Sequence, residues 1–390
     1  MVGVYNDNLN DFTRKYFIKG NEHLIKDVNN FPLEYESIKN SLIEQLLVHD
    51  SITFKVYGEN IPIAFLINTL GLKTVEALLE QKAINFVLWN SGVTYNVDNI
   101  PGIFPLQSFN FSSSVHIDPE ESIMSGLKFL SNSYSRKIRR NITRKVIKNY
   151  KLPPKNLAED AVRFGHEGYK DNLFTDLGLP MEKDIMDLNQ QERKRLVNLA
   201  TQCYDLTLLS TYQLNTYNSF DLLTLNRSEF QKLKDLNAIE NVVDEIFRIE
   251  GVPTFSQLVN EGLFDVKDLP KIREGKNAEK FRAWIDSTSS HSDRYEITRE
   301  YINTITNSKS ILERPIGKLT RVLGVTALGG IIGSTVAGPI GALSGAVVGN
   351  TMDIGISLFD SYVLDNIFKG WTPKYYIDKQ VRPLIKNQTI

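Results

Sequence analysis

The sequence predicts an α+β fold that is mostly α, and three observations carry that expectation. Between residues 33 and 97, apolar spacing switches back and forth between a helical period and strict alternation. From about 157 to 285, apolar residues recur every three or four positions and strand signals all but vanish. Residues 322–352 hold no charged side chain and are built from Gly, Ala and aliphatic residues, which predicts a C-terminal helical hairpin. The chain accordingly divides into a mixed α/β segment (1–117), a helical middle (118–285), a linker with a connecting helix (286–312), and a hairpin with its tail (313–390).

Each element has a local reason. The first thirty residues are polar and mixed, with Phe12, Tyr16, Phe17 and Leu24 as docking points. Leu33, Ile38, Leu42, Leu46 and Leu47 share one side of a helix over 33–48. Alternating Ile52, Phe54 and Val56 predict a strand. Pro62 opens a helix to Leu70, and 74–81 reads as another. Strands follow at 84–89 and 93–97, separated by an Asn90-Ser91-Gly92 turn. Asp118 caps a helix with Pro119 in its first turn, carrying Ile123, Met124, Leu127 and Leu130. Leu196, Leu199, Ala200, Cys203 and Leu206 line a helix over 190–210. A Tyr- and Asn-rich stretch after it fits a strand or a recognition loop, and 227–250 is a further helix.

Residues 135–155 are unusually basic: Arg136, Lys137, Arg139, Arg140, Arg144, Lys145, Lys148, Lys151 and Lys155, with no acidic residue between Glu121 and Glu159. Ile138, Ile142 and Val146 recur at helical spacing, so this is a basic amphipathic helix stopped by Pro153-Pro154. It suits phosphates, anionic headgroups or an acidic partner; as a solvated face it would pair with carboxylates elsewhere in the protein. Aromatics are nearly absent from the run, which disfavours stacking on single-stranded bases.

In the charge-free run, small residues return every fourth position at Gly329, Gly333, Ala337, Gly341, Gly345 and Gly349, with a second row beside it that includes Gly338. On a helix these rows form a bare strip that lets another helix approach nearly backbone to backbone. Gly costs about 1 kcal/mol relative to Ala inside a helix, so eight glycines here point to close packing and not to helix propensity. Pro339 breaks the run, which predicts two arms, 316–337 and 340–368, folded back through Ala337-Gly338-Pro339. With Gly329-Gly330-Ile331-Ile332-Gly333 and Gly338-Pro339-Ile340-Gly341-Ala342, the segment resembles the glycine-zipper hairpins of bacterial membrane-active proteins. That resemblance implies insertion into a bilayer, self-association there, and a toxin-like or anti-phage role. Each arm's uncharged portion is nearer the length of a buried or re-entrant helix than of a full span, so a buried soluble hairpin stays open beside it.

Further motifs flank the hairpin. Ile272-Arg273 ahead of Phe281-Arg282-Ala283-Trp284 resembles a helical module found in many bacterial proteins, to which the pattern attaches no activity. Phe281, Trp284 and Ile285 make a core stripe; Arg273 and Arg282 are expected to pair with Glu274, Glu279 or Asp286, with anion binding the alternative. Residues 286–293 are the linker candidate. Trp371, Tyr375, Tyr376 and Ile377, among Lys369, Lys374, Lys379, Arg382 and Lys386, suit either a membrane interface or docking on the body.

Composition sets outer limits. At 390 residues, with 42% hydrophobic and 23% charged, the chain has room for two or three globular domains. A formal charge of −1 gives no global field toward nucleic acid or anionic lipid. The single Cys203 precludes an internal disulfide framework and fits a reducing cytosol, and the first residues read as no signal peptide. The five histidines are scattered, and no zinc-spaced cluster, phosphate-loop lysine or nucleophile elbow occurs. The sequence therefore predicts no catalytic residue, metal or cofactor.

The expected protein is a cytoplasmic, non-enzymatic regulatory body whose hairpin associates with the inner membrane from the cytosolic side and permeabilises it. The expected partners are lipid, other copies of the chain and a regulatory or phage-derived protein. The competing readings are a soluble interaction protein whose hairpin is a core or oligomer interface, and an enzyme acting on nucleic acid or a phosphorylated ligand through 136–155.

Overall fold

Three short strands of the first ninety residues lie side by side in a parallel sheet that helices cover on both faces. The structure is a computed structural model; it describes residues 3–18, 29–98, 102–172, 174–179, 183–212, 214–216, 255–289, 371 and 373–385. Strands β1 (Gly3–Asn6), β2 (Ser51–Val56) and β3 (Ile84–Leu88) run parallel, Val4 opposite Ile52 and Phe54 opposite Phe86. Two short strands extend the sheet, β6 (Tyr150–Lys151) beside β3 and β7 (Leu214–Thr216) beside β1, giving the order β6-β3-β2-β1-β7. A separate antiparallel pair joins β4 (Ser91–Tyr95) to β5 (Leu106–Asn110). The fold is α+β and mostly α.

Crossover handedness sorts the helices. A right-handed connection puts its helix on one face when the chain steps one way across the sheet, and on the other face when it turns back. The steps from β1 to β2 to β3 use α1 (Asn8–Phe17), α2 (Phe31–Val48), α3 (Ile61–Leu70) and α4 (Leu72–Glu80), all on one face. There Val4, Ile52, Phe54, Val56, Ile84, Phe86 and Leu88 meet them, together with α6 (Pro119–Gly126, after the single turn α5, Ser114–Ile117) and α7 (Arg136–Ile147). The return to β7 brings α8 (Leu157–Lys170) and α9 (Gln190–Tyr212) onto the opposite face, against Tyr5, Val87 and Trp89. Helices α10 (Phe255–Asn260), α11 (Leu269–Glu274), α12 (Lys276–Ser289) and α13 (Pro373–Tyr376) return to the first face, where Leu258, Ile272, Phe281, Tyr376 and Ile377 join its core.

Several expectations change. The boundary at 117/118 runs through one sheet and one core, because β6 and β7 pair with strands from the first segment. Ser91 and Gly92 lie in β4 and not in a turn: a Cβ on Gly92 would meet the Phe109 ring at 2.9 Å, so the glycine makes room for a cross-strand aromatic. The basic helix ends at Ile147, well before Pro153, since Tyr150 must turn into β6 and stack on Phe86 at 5.6 Å. The linker expected from residue 286 begins as helix, α12 continuing to Ser289. Strand β1 and helix α1 arise where no element was expected. The helix expected over 227–250, the connecting helix and the zipper hairpin lie outside the described residues.

Among the described residues, no single helix is long and apolar enough to cross a membrane. Helices α3 and α4 qualify together by composition, but they bend by 115° and their apolar residues fill the core.

Helix α6 approaches the start of α3 so closely that Asn60 N–H donates to Ser122 O at 2.9 Å. A Cβ on Gly126 would fall 1.9 Å from the Asn60 carbonyl oxygen, a backbone atom that cannot step aside. Gly126→Ala is therefore expected to destabilise the fold by about 1–3 kcal/mol, read as a lower urea midpoint.

Candidate functional site

Two groups of buried charge mark the body, one on each face of the sheet. On the α9 face, alternation along the central strands directs Tyr5, Lys55 and Trp89 toward α9, which answers with Tyr204 and Asp205. Lys55 Nζ lies 3.3 and 3.5 Å from the two Asp205 carboxylate oxygens and 4.1 Å from the centre of the Trp89 ring. Tyr5 donates its hydroxyl to Asp205 Oδ1 at 3.2 Å. Burial works against charge on both partners: it lifts Asp205 above the usual carboxylate range, and it would lower Lys55 were Asp205 and Asp7 not beside it to hold the ammonium charged.

Asp7 follows directly on β1, at the carboxyl rim of the sheet. β1 is also where the strand order reverses, β2 lying on one side and β7 on the other, which is where open parallel sheets form their ligand crevices. Burial, reinforced by the neighbouring Asp205, raises the Asp7 carboxyl to about 6. A half-buried carboxyl that exchanges its proton near neutral pH is suited to general acid–base work. None of these residues stood out in the sequence. The alternation of Ile52, Phe54 and Val56 leaves Lys55 on the other side of the strand; the pairing of β2 on both edges, with helices on both faces, buries it.

The second group lies on the opposite face, where α2 ends. His49 and Asp50 looked like a chance dipeptide, yet they receive both arginines of the 255–289 segment. Arg273 donates to His49 O at 3.0 Å and to Asp50 O at 2.6 Å, capping the negative end of the α2 dipole. Arg282 donates through Nε to Asp50 Oδ1 at 3.1 Å and through Nη2 to Arg273 O at 3.2 Å. The expected partners Glu274, Glu279 and Asp286 give way to Asp50, because both guanidiniums turn inward beneath α2. Burial, together with Arg282 alongside, brings Arg273 down to about 10, and burial drives His49 to about 4.

The same helices receive the chain where the described residues resume after residue 370. Tyr376 stacks on Phe281 with ring centres 4.3 Å apart. Trp371 Nε1 donates to Asn277 Oδ1 at 3.1 Å, and Gln380 Nε2 donates to Ile272 O at 2.9 Å. The Gln380 amide occupies the space a Cβ on Gly275 would need, so a larger residue there would push that amide off Ile272 O. Of the two roles foreseen for the aromatic tail, docking on the body holds for Trp371, Tyr376 and Ile377.

The basic helix α7 buries Ile142, Thr143 and Val146 and turns Arg136, Lys137, Arg140, Arg144 and Lys148 outward. Lys145 is spent on Glu76 and Glu80, at 3.2 and 2.9 Å, while Arg139 is half-buried. Gly329, Gly333, Ala337, Gly338, Pro339, Gly341, Gly345 and Gly349 lie outside the described residues. Among the described residues no group of three or more His, Cys, Asp or Glu side chains is arranged to hold a metal ion. Comparison with protein-family models, curated proteins and solved structures gives no match.

Asp205→Ala is expected to cost about 3–5 kcal/mol by stranding the Lys55 ammonium, with Lys55→Met/Asp205→Leu regaining most of it in denaturant melts. The two perturbed groups also set opposite pH slopes. Native His49 stays neutral down to about 4 while the unfolded chain protonates near 6.5, so about 3 kcal/mol of stability is lost as pH falls through that window. Native Asp7 keeps its proton up to about 6 where the unfolded carboxyl gives it up near 3.8, so its contribution is lost as pH rises between them. Melting curves from pH 4 to 7 should therefore show a shallower acid loss in His49→Gln and a steeper one in Asp7→Asn.

Proposed function

We propose that the protein is a membrane-associating effector, a sensing or regulatory α+β body that carries a glycine-zipper hairpin able to enter and permeabilise the bacterial inner membrane. The observation that supports it most is the fastening of both ends of residues 290–370 on α12 and its neighbours. A helical hairpin that enters a bilayer and returns needs its two ends on one body, and α12 meets that need: the chain departs from its end at Ser289 and returns near its start at Asn277, about 18 Å away along the helix. The bare Gly/Ala strip supplies the rest. Lipid gives helices no hydrophobic reason to pair, so copies would be held by the close backbone contact that small residues allow. In this reading the chain acts from the cytosolic side, as a homo-oligomer, in anti-phage defence by disabling the infected cell.

The rim around Asp7 favours a second role within the same reading, as the place where the body senses a small ligand. A proton-exchanging carboxyl beside a Lys–Asp pair at a strand-order reversal is the arrangement such sites use.

Inducing the full chain should collapse the membrane potential of the host cell and release dye from anionic vesicles, whereas a chain ending near residue 310 should do neither. Gly341→Leu and Gly345→Leu should abolish leakage while leaving the melting of the body unchanged. Full toxicity in both leucine variants would overturn self-association through the strip.

A further inference from the structure

The outward face of α7 carries a pattern that helix energetics alone disfavours. Arg136, Arg140, Arg144 and Lys148 stand four residues apart, forming one continuous cationic row, and Lys137 flanks it. Like charges at that spacing repel and destabilise an isolated helix. The first turn of α7 holds no acidic residue and two bases, which face the positive end of the helix dipole. All five side chains are exposed and none has a carboxylate partner among the described residues, in contrast to Lys145 on the same helix. An extended anionic surface would relieve every one of these repulsions.

Two further observations choose the surface. Ile138 and Ile147, each 38% exposed, lie on the same helix as the bases. Apolar side chains between cations gain from the headgroup–acyl boundary of a bilayer and gain nothing from a nucleic-acid backbone. The position of α7 points the same way. Its inner side is tied to α4 through Lys145 with Glu76 and Glu80. The end of α4 is tied in turn to α11, Gln81 donating to Pro270 O at 2.9 Å and to Glu274 Oε1 at 3.0 Å. The cationic row and the joint that fastens residues 290–370 therefore share α4 as common support on one flank of the body.

We infer that the Arg136–Arg140–Arg144–Lys148 face of α7 is the docking surface for anionic lipid headgroups, and that it sets the body against the bilayer with the hairpin joint on the membrane-facing flank. The inference rests on the membrane reading above and adds to it the surface that makes first contact. Docking through α7 precedes insertion and does not need the zipper.

The test is co-sedimentation of the full chain with vesicles of phosphatidylcholine alone or mixed equally with phosphatidylglycerol. Binding should require phosphatidylglycerol and weaken as salt is raised. At about 1 kcal/mol for each base near the surface, Arg140→Gln/Arg144→Gln should lower partitioning about 30-fold with an unchanged melting curve. Gly345→Leu should still sediment with the vesicles although it no longer releases dye. Equal binding by the double glutamine variant, or equal binding to phosphatidylcholine, would overturn the α7 surface while leaving the hairpin reading standing. Retention by duplex DNA with no retention by either vesicle would overturn it in favour of a nucleic-acid face. Loss of vesicle binding in Gly345→Leu would show that the hairpin, and not α7, makes first contact.

Discussion

Two guanidiniums buried beneath the end of one helix are the constraint on which the carboxyl-terminal half of this body depends. Taking Arg273 and Arg282 out of water is costly unless their donors are met, and a lone carboxylate cannot meet them. The end of α2 can. Just past its negative end, Arg273 takes the carbonyls of His49 and Asp50, the two residues that lead from α2 into β2, while Arg282 takes the Asp50 carboxylate. This fixes where α11 and α12 lie, and only then can Phe281 offer the ring on which Tyr376 stacks. The docking of residues 371–385 is thus a consequence of charge satisfied by residues more than three hundred positions earlier in the chain.

The sheet separates this joint from the rim cluster. Val4 and Tyr5 are neighbours in β1, yet one faces the core that the joint completes and the other reaches Asp205 on α9. Strand β1 has only four residues, so both networks bear on a very short central strand. A change in the charge of Asp7 or Asp205 acts on the carboxyl end of that strand. A change at His49 or Asp50 acts on α2, which packs against the other face.

Much of the fold was legible because periodicity reports burial where each element has one wet side. Leu42, Leu46 and Leu47 in α2, the alternation in β2, and Leu196, Leu199, Ala200 and Cys203 in α9 are core residues as their spacing indicates. Legibility fails where the neighbour decides. β1 is too short to alternate visibly and becomes a strand because β2 and β7 bracket it. Gly92 read as a turn because nothing nearby in sequence reveals the Phe109 ring it accommodates. The charged sites were hidden for the same reason. Lys55 and Asp205 are 150 positions apart, and His49-Asp50 acquires meaning only from two arginines beyond residue 270. The exposed row on α7 was visible as charge, but its separation from Lys145 and Arg139 needed the fold.

The central claim is that the chain, after residue 370, rejoins the body on α12, the helix from which it departs. It is tested most directly by spin labels at Glu279→Cys on α12 and Tyr375→Cys on α13, with buried Cys203 left in place. Double electron–electron resonance on the full chain should give a single narrow, short-distance population, both in solution and after addition of phosphatidylglycerol vesicles. A broad distribution extending to long distances in solution would contradict the account, since the returning chain would then not be fastened on α12.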